Sequence, residues 1–152
     1  VGRKTTTAGS TEPSAPPRGS LFQEHLRGSP FWMLVACQLV NLTTWEQARP
    51  AFRVILSRHL TPGGLAGADP ATLEEPLRPL GLWRRRAVTL PRFGSAWLQA
   101  APRCYDDVMG MPGCGKYAAD SWAIFVAGDL DVEPSDGKLN WYLERLRQES
   151  AE

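Results

Sequence analysis

The stretch MGMPGCGKYAADSWAIFVAGDLDVEPSDGKLNWYLERL, residues 109–146, decides how this chain reads. Gly113 and Gly115 flank Cys114 just after Pro112, and Lys116 follows at once. PRCYDDVMGM on the near side predicts a short helix. KYAADSWAIFVAG, with Ala, Trp, Ile, Phe and Val toward one side, predicts another. Further on, Leu139, Tyr142, Leu143 and Leu146 recur at helical spacing in DGKLNWYLERLRQES. The order is helix, glycine turn, helix, and then a single carboxylate, Asp136, at the head of a further helix. Glycine permits backbone angles that other residues avoid and lets another backbone come close. A turn entering a helix points unpaired N–H groups outward with the positive end of the dipole behind them, which suits a phosphate. Lys116 would add a cation to that site. A helix–helix turn that binds nothing uses glycine in the same way. The spacing is not that of a Walker loop, and no strand precedes it as a dinucleotide fingerprint requires.

Asp136 follows VEPS and precedes GKLNWYLERL. A carboxylate there caps a helix by accepting from backbone N–H groups, and the helix dipole favours negative charge at that end. Beside a cleft, the same group can orient or deprotonate a water, or stabilise a sugar oxocarbenium ion. The two roles are compatible, and the residues by themselves leave both open.

Upstream, the pattern is helical throughout. SPFWMLVACQLVNLTT has Ser29 at a cap position and Pro30 at the first helical position. Its body is nearly all apolar, which predicts a central, buried helix. TWEQARPAFRVILSRHL predicts a second helix, kinked or broken at Pro50. TPGGLAGAD reads as loop. DPATLEEPLRPLGL opens with Asp69 and Pro70 as cap and first turn, and stops at PLGL. WRRRAVTLPRFGSAWLQA is helical in pattern and disturbed at Pro91. No segment alternates like a strand and no solenoid repeat is present. The fold class is all-α, with about seven short helices.

Residues 1–19, VGRKTTTAGSTEPSAPPRG, contain almost nothing apolar and read as a disordered tail or linker, leaving 20–152 as the folded domain. Val1 in place of a start methionine is expected of a piece of a longer protein. A length of 152 residues suits one domain with a real core. Hydrophobic and charged contents of 43% and 22% are ordinary globular values. The net charge of +1 does not announce a nucleic-acid binder, so the placement of charge matters more than its total. No apolar run is long enough to span a bilayer, and no secretory signal is visible. Cys37, Cys104 and Cys114 are odd in number and unpaired in spacing, which predicts reduced thiols in an intracellular protein. Without a Cys-x-x-Cys pair, and with His25 far from His59, no zinc or iron–sulfur site is expected.

The helix–hairpin–helix with its Gly/Pro-rich turn and following Asp resembles a DNA glycosylase superfamily. Four blocks extend the likeness in order: SPFWMLVACQLVNLTT, LRPLGLWRRRA, GCGKYAADSWAIF and DGKLNWY. They resemble the mismatch-specific thymine/uracil glycosylases of the methyl-CpG-binding domain protein four type, from about Ser20 to Gln148. The resemblance implies a helix–hairpin–helix glycosylase fold, a compact helical bundle with a central cleft. It also implies an enzyme that flips a nucleotide out of the duplex and hydrolyses its N-glycosidic bond.

Residue by residue, the resemblance makes Asp136 the catalytic aspartate, assisting the water and stabilising positive charge on the sugar. Gly113, Gly115 and Lys116 would hold the DNA backbone, without reading sequence. Tyr117 stands where bifunctional relatives carry a Schiff-base lysine. A phenol forms no imine, so the implied enzyme is monofunctional and leaves an abasic site. Tyr117, Gln38 and Leu39 would line the base pocket. Tyr117 serves equally as a core aromatic, and Gln38 as a buried amide satisfied near a helix end. Asn41 and Leu42, at the end of the first long helix, would form the wedge that fills the hole left by the flipped base. The relatives have arginine where this chain has Leu42; a leucine can wedge between bases but offers no charged fork. Leu80, Gly81 and Leu82 would reach the opposite base, or simply pack a turn. Arg84, Arg85 and Arg86 would contact phosphates, or form a solvated helix face.

The resemblance implies no metal and no cofactor, and the four-cysteine iron–sulfur loop of some relatives is not expected at the C-terminus. Its implied partners are double-stranded DNA with a mismatched or damaged base and downstream abasic-site repair enzymes, with the chain a monomer and no membrane involved. The implied address is the nucleus in a eukaryote, or the cytoplasm and nucleoid in a bacterium. Two other readings stay open. One is a DNA-binding module that keeps the hairpin without the chemistry. The other is a glycosylase for another base, such as adenine opposite an oxidised guanine or a 5-substituted pyrimidine.

Overall fold

The computed structural model describes residues 17–152, so most of the expected 1–19 tail lies outside the described residues. Nine α-helices and no strand occur among those residues. They are α1 (Phe22–Leu26), α2 (Pro30–Leu39), α3 (Trp45–His59), α4 (Pro62–Ala66), α5 (Pro70–Leu77), α6 (Trp83–Gln99), α7 (Tyr105–Met109), α8 (Lys116–Trp122) and α9 (Gly137–Ala151). A 3-10 turn over Arg78–Leu80 follows α5, and a wide π-turn over Ala123–Ala127 extends α8. The all-α fold class holds, and no helix is long and apolar enough to cross a membrane among the described residues.

Local chemistry explains most helix starts. Thr44 and Gln47 form a reciprocal capping box at α3, with N–H···O distances of 3.2 and 3.1 Å. Thr61 caps α4 and Asp69 caps α5, each accepting from a backbone N–H at 3.0 Å. Ser29 does stand at the cap position of α2, but its side chain makes no capping bond there.

The helix α2 is the hub. Every residue from Phe31 to Leu39 is buried, as the apolar run predicts. Phe31 stacks on Phe93 of α6 at 5.1 Å and meets the edge of Trp97 at 5.3 Å. Trp32 crosses Phe52 of α3 and donates its indole N–H to the Leu60 carbonyl at 3.2 Å. Burying each such side chain stabilises the fold by about 1.5–3 kcal/mol.

Three expectations change. The segment TPGGLAGAD contains a helix, α4, because Thr61 caps it and Pro62 starts it. Pro50 does not break α3, and Pro91 does not break α6. The lost hydrogen bond and the ring clash cost about 3 kcal/mol. Burial of Ala51, Phe52 and Ile55 after one proline, and of Phe93 after the other, offsets that cost. Asn41 and Leu42 lie beyond α2 rather than within it, since the helix stops at Leu39.

Gly94 marks a close approach of two helices, α6 and α4. A Cβ built there would lie 2.8 Å from Ala66 N and 3.0 Å from Pro62 O, both backbone atoms of the α4 segment. Gly94→Ala is expected to cost about 1–3 kcal/mol by overpacking. A lowered urea midpoint at unchanged slope would register it; an unchanged midpoint would mean the two helices part without strain.

Candidate active site

The C-terminal end of α2, the turn between α7 and α8, and the head of α9 converge on one cleft of about 920 Å³. That volume lies within the ordinary range for ligand sites, about 300–1,000 Å³. Gln38, Asn41, Leu42, Gly113, Gly115, Lys116, Tyr117 and Asp136 all line it.

Asp136 caps α9. Its Oδ2 accepts the Leu139 N–H at 2.9 Å, and no hydrogen bond to Oδ1 occurs among the described residues. The side chain is half-buried in the cleft wall. One oxygen therefore fixes the carboxylate, and the other has no hydrogen-bond partner among the described residues. Residues 128–135, which precede it, have no regular structure, so their carbonyls need donors from elsewhere. Arg147 donates to Leu130 O at 2.8 Å and Val132 O at 3.1 Å. Lys116 reaches Glu133 O at 2.7 Å, and Asn140 reaches Pro134 O at 2.7 Å. Side chains thus hold the approach to Asp136 in place.

Lys116 already has partners within the protein. Its ammonium pairs with Asp120 at 2.9 Å as well as with Glu133 O. Asp120 is buried and also accepts the Tyr105 hydroxyl at 2.8 Å. Burial and that carboxylate push the Tyr105 phenol up to about 12. In the turn itself, Gly113 has φ +78° and Cys114 N donates to Met111 O at 3.1 Å. Gly115 stands at the N-cap of α8 with no side chain to satisfy the first N–H groups.

Tyr117 is partly buried, and its phenol accepts from the Gln23 amide at 2.8 Å. Burial above all, then the neighbouring Cys37 thiol and Asp136 carboxylate, push its pKa far above the usual tyrosine range. The phenol stays protonated, and because Gln23 supplies the donor, its own O–H is free to donate into the cleft. Gln23 is itself buried and also donates to Ser121 Oγ at 3.2 Å. Nothing local marks Gln23, which sits in a five-residue helix and meets Tyr117 only in the folded chain. Lys138 and Trp141 also line the cleft. Their places in the first turns after Asp136 were a usable signal.

Gln38 is buried and faces the turn, its amide 3.6 Å from Cys114 Sγ. Burial pushes the Cys37 and Cys114 thiols up to about 12, so both stay protonated. Leu39 belongs to the core and does not line the large cleft. Leu42 is 86% exposed at φ +67°, and Leu82 is 49% exposed at φ +50°. Left-handed backbone costs a leucine about 1–2 kcal/mol, so both turns are held by their surroundings.

A smaller cavity of about 130 Å³ adjoins the cleft and is lined by Gln38, Leu39, Asn41, Leu82, Arg85 and Arg86 among others. Leu80 packs against the core and Gly81 turns the chain at φ +77°. The three arginines separate. Arg84 lies over the Trp83 ring at 4.6 Å, with Arg78 at 4.7 Å. Arg85 is exposed. Arg86 is buried and its guanidinium is engaged by the Leu39 and Asn41 carbonyls, so it is not offered to a phosphate. Helical phase was the missed signal: Arg86 shares the stripe of Leu90 and Phe93.

An all-α frame that carries a helix–hairpin–helix, with a carboxylate at the head of the next helix, is the frame of the helix–hairpin–helix DNA glycosylases, and the chain belongs to that superfamily. No family model matches it. It is 33% identical to a methyl-CpG-binding domain protein 4-like protein of Arabidopsis thaliana over 135 residues, which are 87% of this chain and 30% of that protein. It is 30% identical to a thymine/uracil-DNA glycosylase of Pyrobaculum aerophilum over 105 residues, 66% of this chain and 46% of the relative. Identity to an endonuclease III of Thermotoga maritima is 24% over 140 residues, 86% of this chain and 66% of the relative. The chain spans less than half the length of the first two relatives.

Proposed function

We propose that the chain is a monofunctional DNA glycosylase that removes thymine or uracil mispaired with guanine. The observation that carries this reading is Asp136: one carboxylate oxygen is held by the α9 cap and the other has no partner among the described residues, in a cleft shared with the hairpin. The bases follow those of the thymine/uracil-DNA glycosylase of Pyrobaculum aerophilum, and the monofunctional assignment follows Tyr117, whose phenol cannot form a Schiff base.

On this reading Gly113 and Gly115 bring the duplex backbone to the start of α8, and Leu42 occupies the space left by the extruded nucleotide. Tyr117 donates its O–H to a carbonyl of the base, as its bond from Gln23 permits. The C1′–N1 bond breaks, water oxygen bonds to C1′, and Asp136 Oδ1 takes the water proton while its charge stabilises the cationic sugar. The departing base is protonated from solvent. The partner is double-stranded DNA, the product site passes to abasic-site repair enzymes, and the protein acts as an intracellular monomer.

Labelled duplexes with G:T, G:U, A:U and matched pairs, resolved with and without hot alkali, test this. Strand breaks at G:T and G:U that appear only after alkali are expected. Breaks without alkali would overturn the monofunctional assignment. Salt-sensitive binding with no base release would favour a binding module instead.

A further inference from the structure

We infer that Arg86 is a positioning residue that sets the two protruding leucine turns, Leu42 and Leu82, in fixed relation to each other. The inference rests on the glycosylase reading for its functional consequence and on the structure alone for its mechanical one. The Nη2 of Arg86 donates to Asn41 O at 2.7 Å, and Nη1 donates to Leu39 O at 3.4 Å. The Asn41 carbonyl belongs to the peptide plane that enters Leu42, so holding it fixes one side of that left-handed residue. The backbone N–H of Arg86 donates to Leu82 O at 2.9 Å. That bond is the first of α6 and would form with any residue but proline at 86, so it is the guanidinium that ties the Leu42 turn to the helix start at Leu82.

The chemistry of the site supports geometry over stability as its purpose. Arg86 is only 8% exposed, and no carboxylate pairs with it among the described residues. Burying a lone guanidinium is costly, and an apolar side chain would fill this space at less cost. A planar fork, however, can hold two carbonyls of a helix end at once, at the negative pole of α2. Lysine can reach one of them, and methionine neither.

The test uses Arg86→Met, Arg86→Lys, Leu42→Ala and the Arg86→Met/Leu42→Ala double variant. Two readouts are taken: base release under single turnover on a G:U duplex with 2-aminopurine beside the lesion, and amide exchange of the DNA-free protein. Thr43 N–H, which donates to Val40 O in the Leu42 turn, is the reporter. Arg86→Met is expected to speed Thr43 exchange about tenfold while Ile55, in the core, is unchanged. Base release and the 2-aminopurine signal should fall about tenfold, with matched-duplex affinity kept, and Arg86→Lys should restore part of both. The double variant should lose little more than the worse single variant. Unchanged Thr43 exchange, or losses that multiply in the double variant, would overturn the inference. If the wild-type chain releases no base, the glycosylase reading fails while Thr43 exchange still decides whether Arg86 holds the turn. Should Arg86→Met not fold, Arg86→Gln and Arg86→Lys carry the same comparisons.

Discussion

Asp136→Asn is expected to fold like the parent and to release base about 10²–10⁴-fold more slowly, the usual contribution of a positioned acid–base group. Asparagine accepts a backbone N–H at an N-cap about as well as aspartate. The bond from Leu139 N at 2.9 Å should survive, and with it the start of α9. On the proposed reading, what disappears is the negative charge beside the sugar and the ability to take a proton from water. Asp136→Ala loses both roles, adding a stability cost of about 0.5–2 kcal/mol for the missing cap. Melting curves and single-turnover rates on the same samples separate the two contributions. A rate for Asp136→Asn within a few-fold of wild type would remove this carboxylate from the chemistry, whatever the melting curves show.

Gly113→Ala should harm both the fold and the grip on DNA. The residue sits at φ +78°, where a side chain costs about 1–2 kcal/mol. A Cβ there would also lie 2.1 Å from Gln38 Oε1, 2.8 Å from Gln38 Cδ and 2.9 Å from Thr89 Cγ2. Overpacking of that kind adds about 1–3 kcal/mol. Gln38 would have to turn away, giving up its contact with Cys114 and reshaping the cleft wall. The expected result is a loss of about 2–5 kcal/mol in denaturant unfolding together with weaker duplex binding. Gly115→Ala is the contrast: at φ −140° with nothing within 4 Å of a Cβ, it should leave stability nearly unchanged. Equal losses at the two glycines would show that the close approach of Gln38 to Gly113 is not what the turn depends on.

The frame of this protein was readable because its signals are local. The apolar run after Pro30 has to be buried, and α2 is buried throughout. Asp69 before Pro70, and Asp136 before α9, are caps by their chemistry, and each accepts the N–H that a cap accepts. The glycines of the hairpin follow the same logic. What escaped was long-range or balanced. Gln23 and Tyr117 lie 94 residues apart, and no pattern in either neighbourhood links them. The prolines of α3 and α6 each set a known local cost against burial that only the folded chain reveals. Leu42 and Leu82 adopt left-handed backbone, for which leucine gives no cue. Lys116 and Arg86 read as cations for DNA, yet each has backbone carbonyls to satisfy within the protein.

The chain of contacts from Tyr105 through Asp120 and Lys116 to Glu133 joins the hairpin to the segment that delivers Asp136. On the proposed reading, grip and reagent are thereby tied into one lever, and holding a duplex already aims the carboxylate. On the proposed reading, such a lever cannot tell right from wrong by closing only on lesions. Discrimination passes to the DNA: a correct pair resists leaving the stack, and a mispair yields more readily. Fidelity then becomes a property of how long the enzyme waits at each position, so slow chemistry would protect the genome better than tight binding.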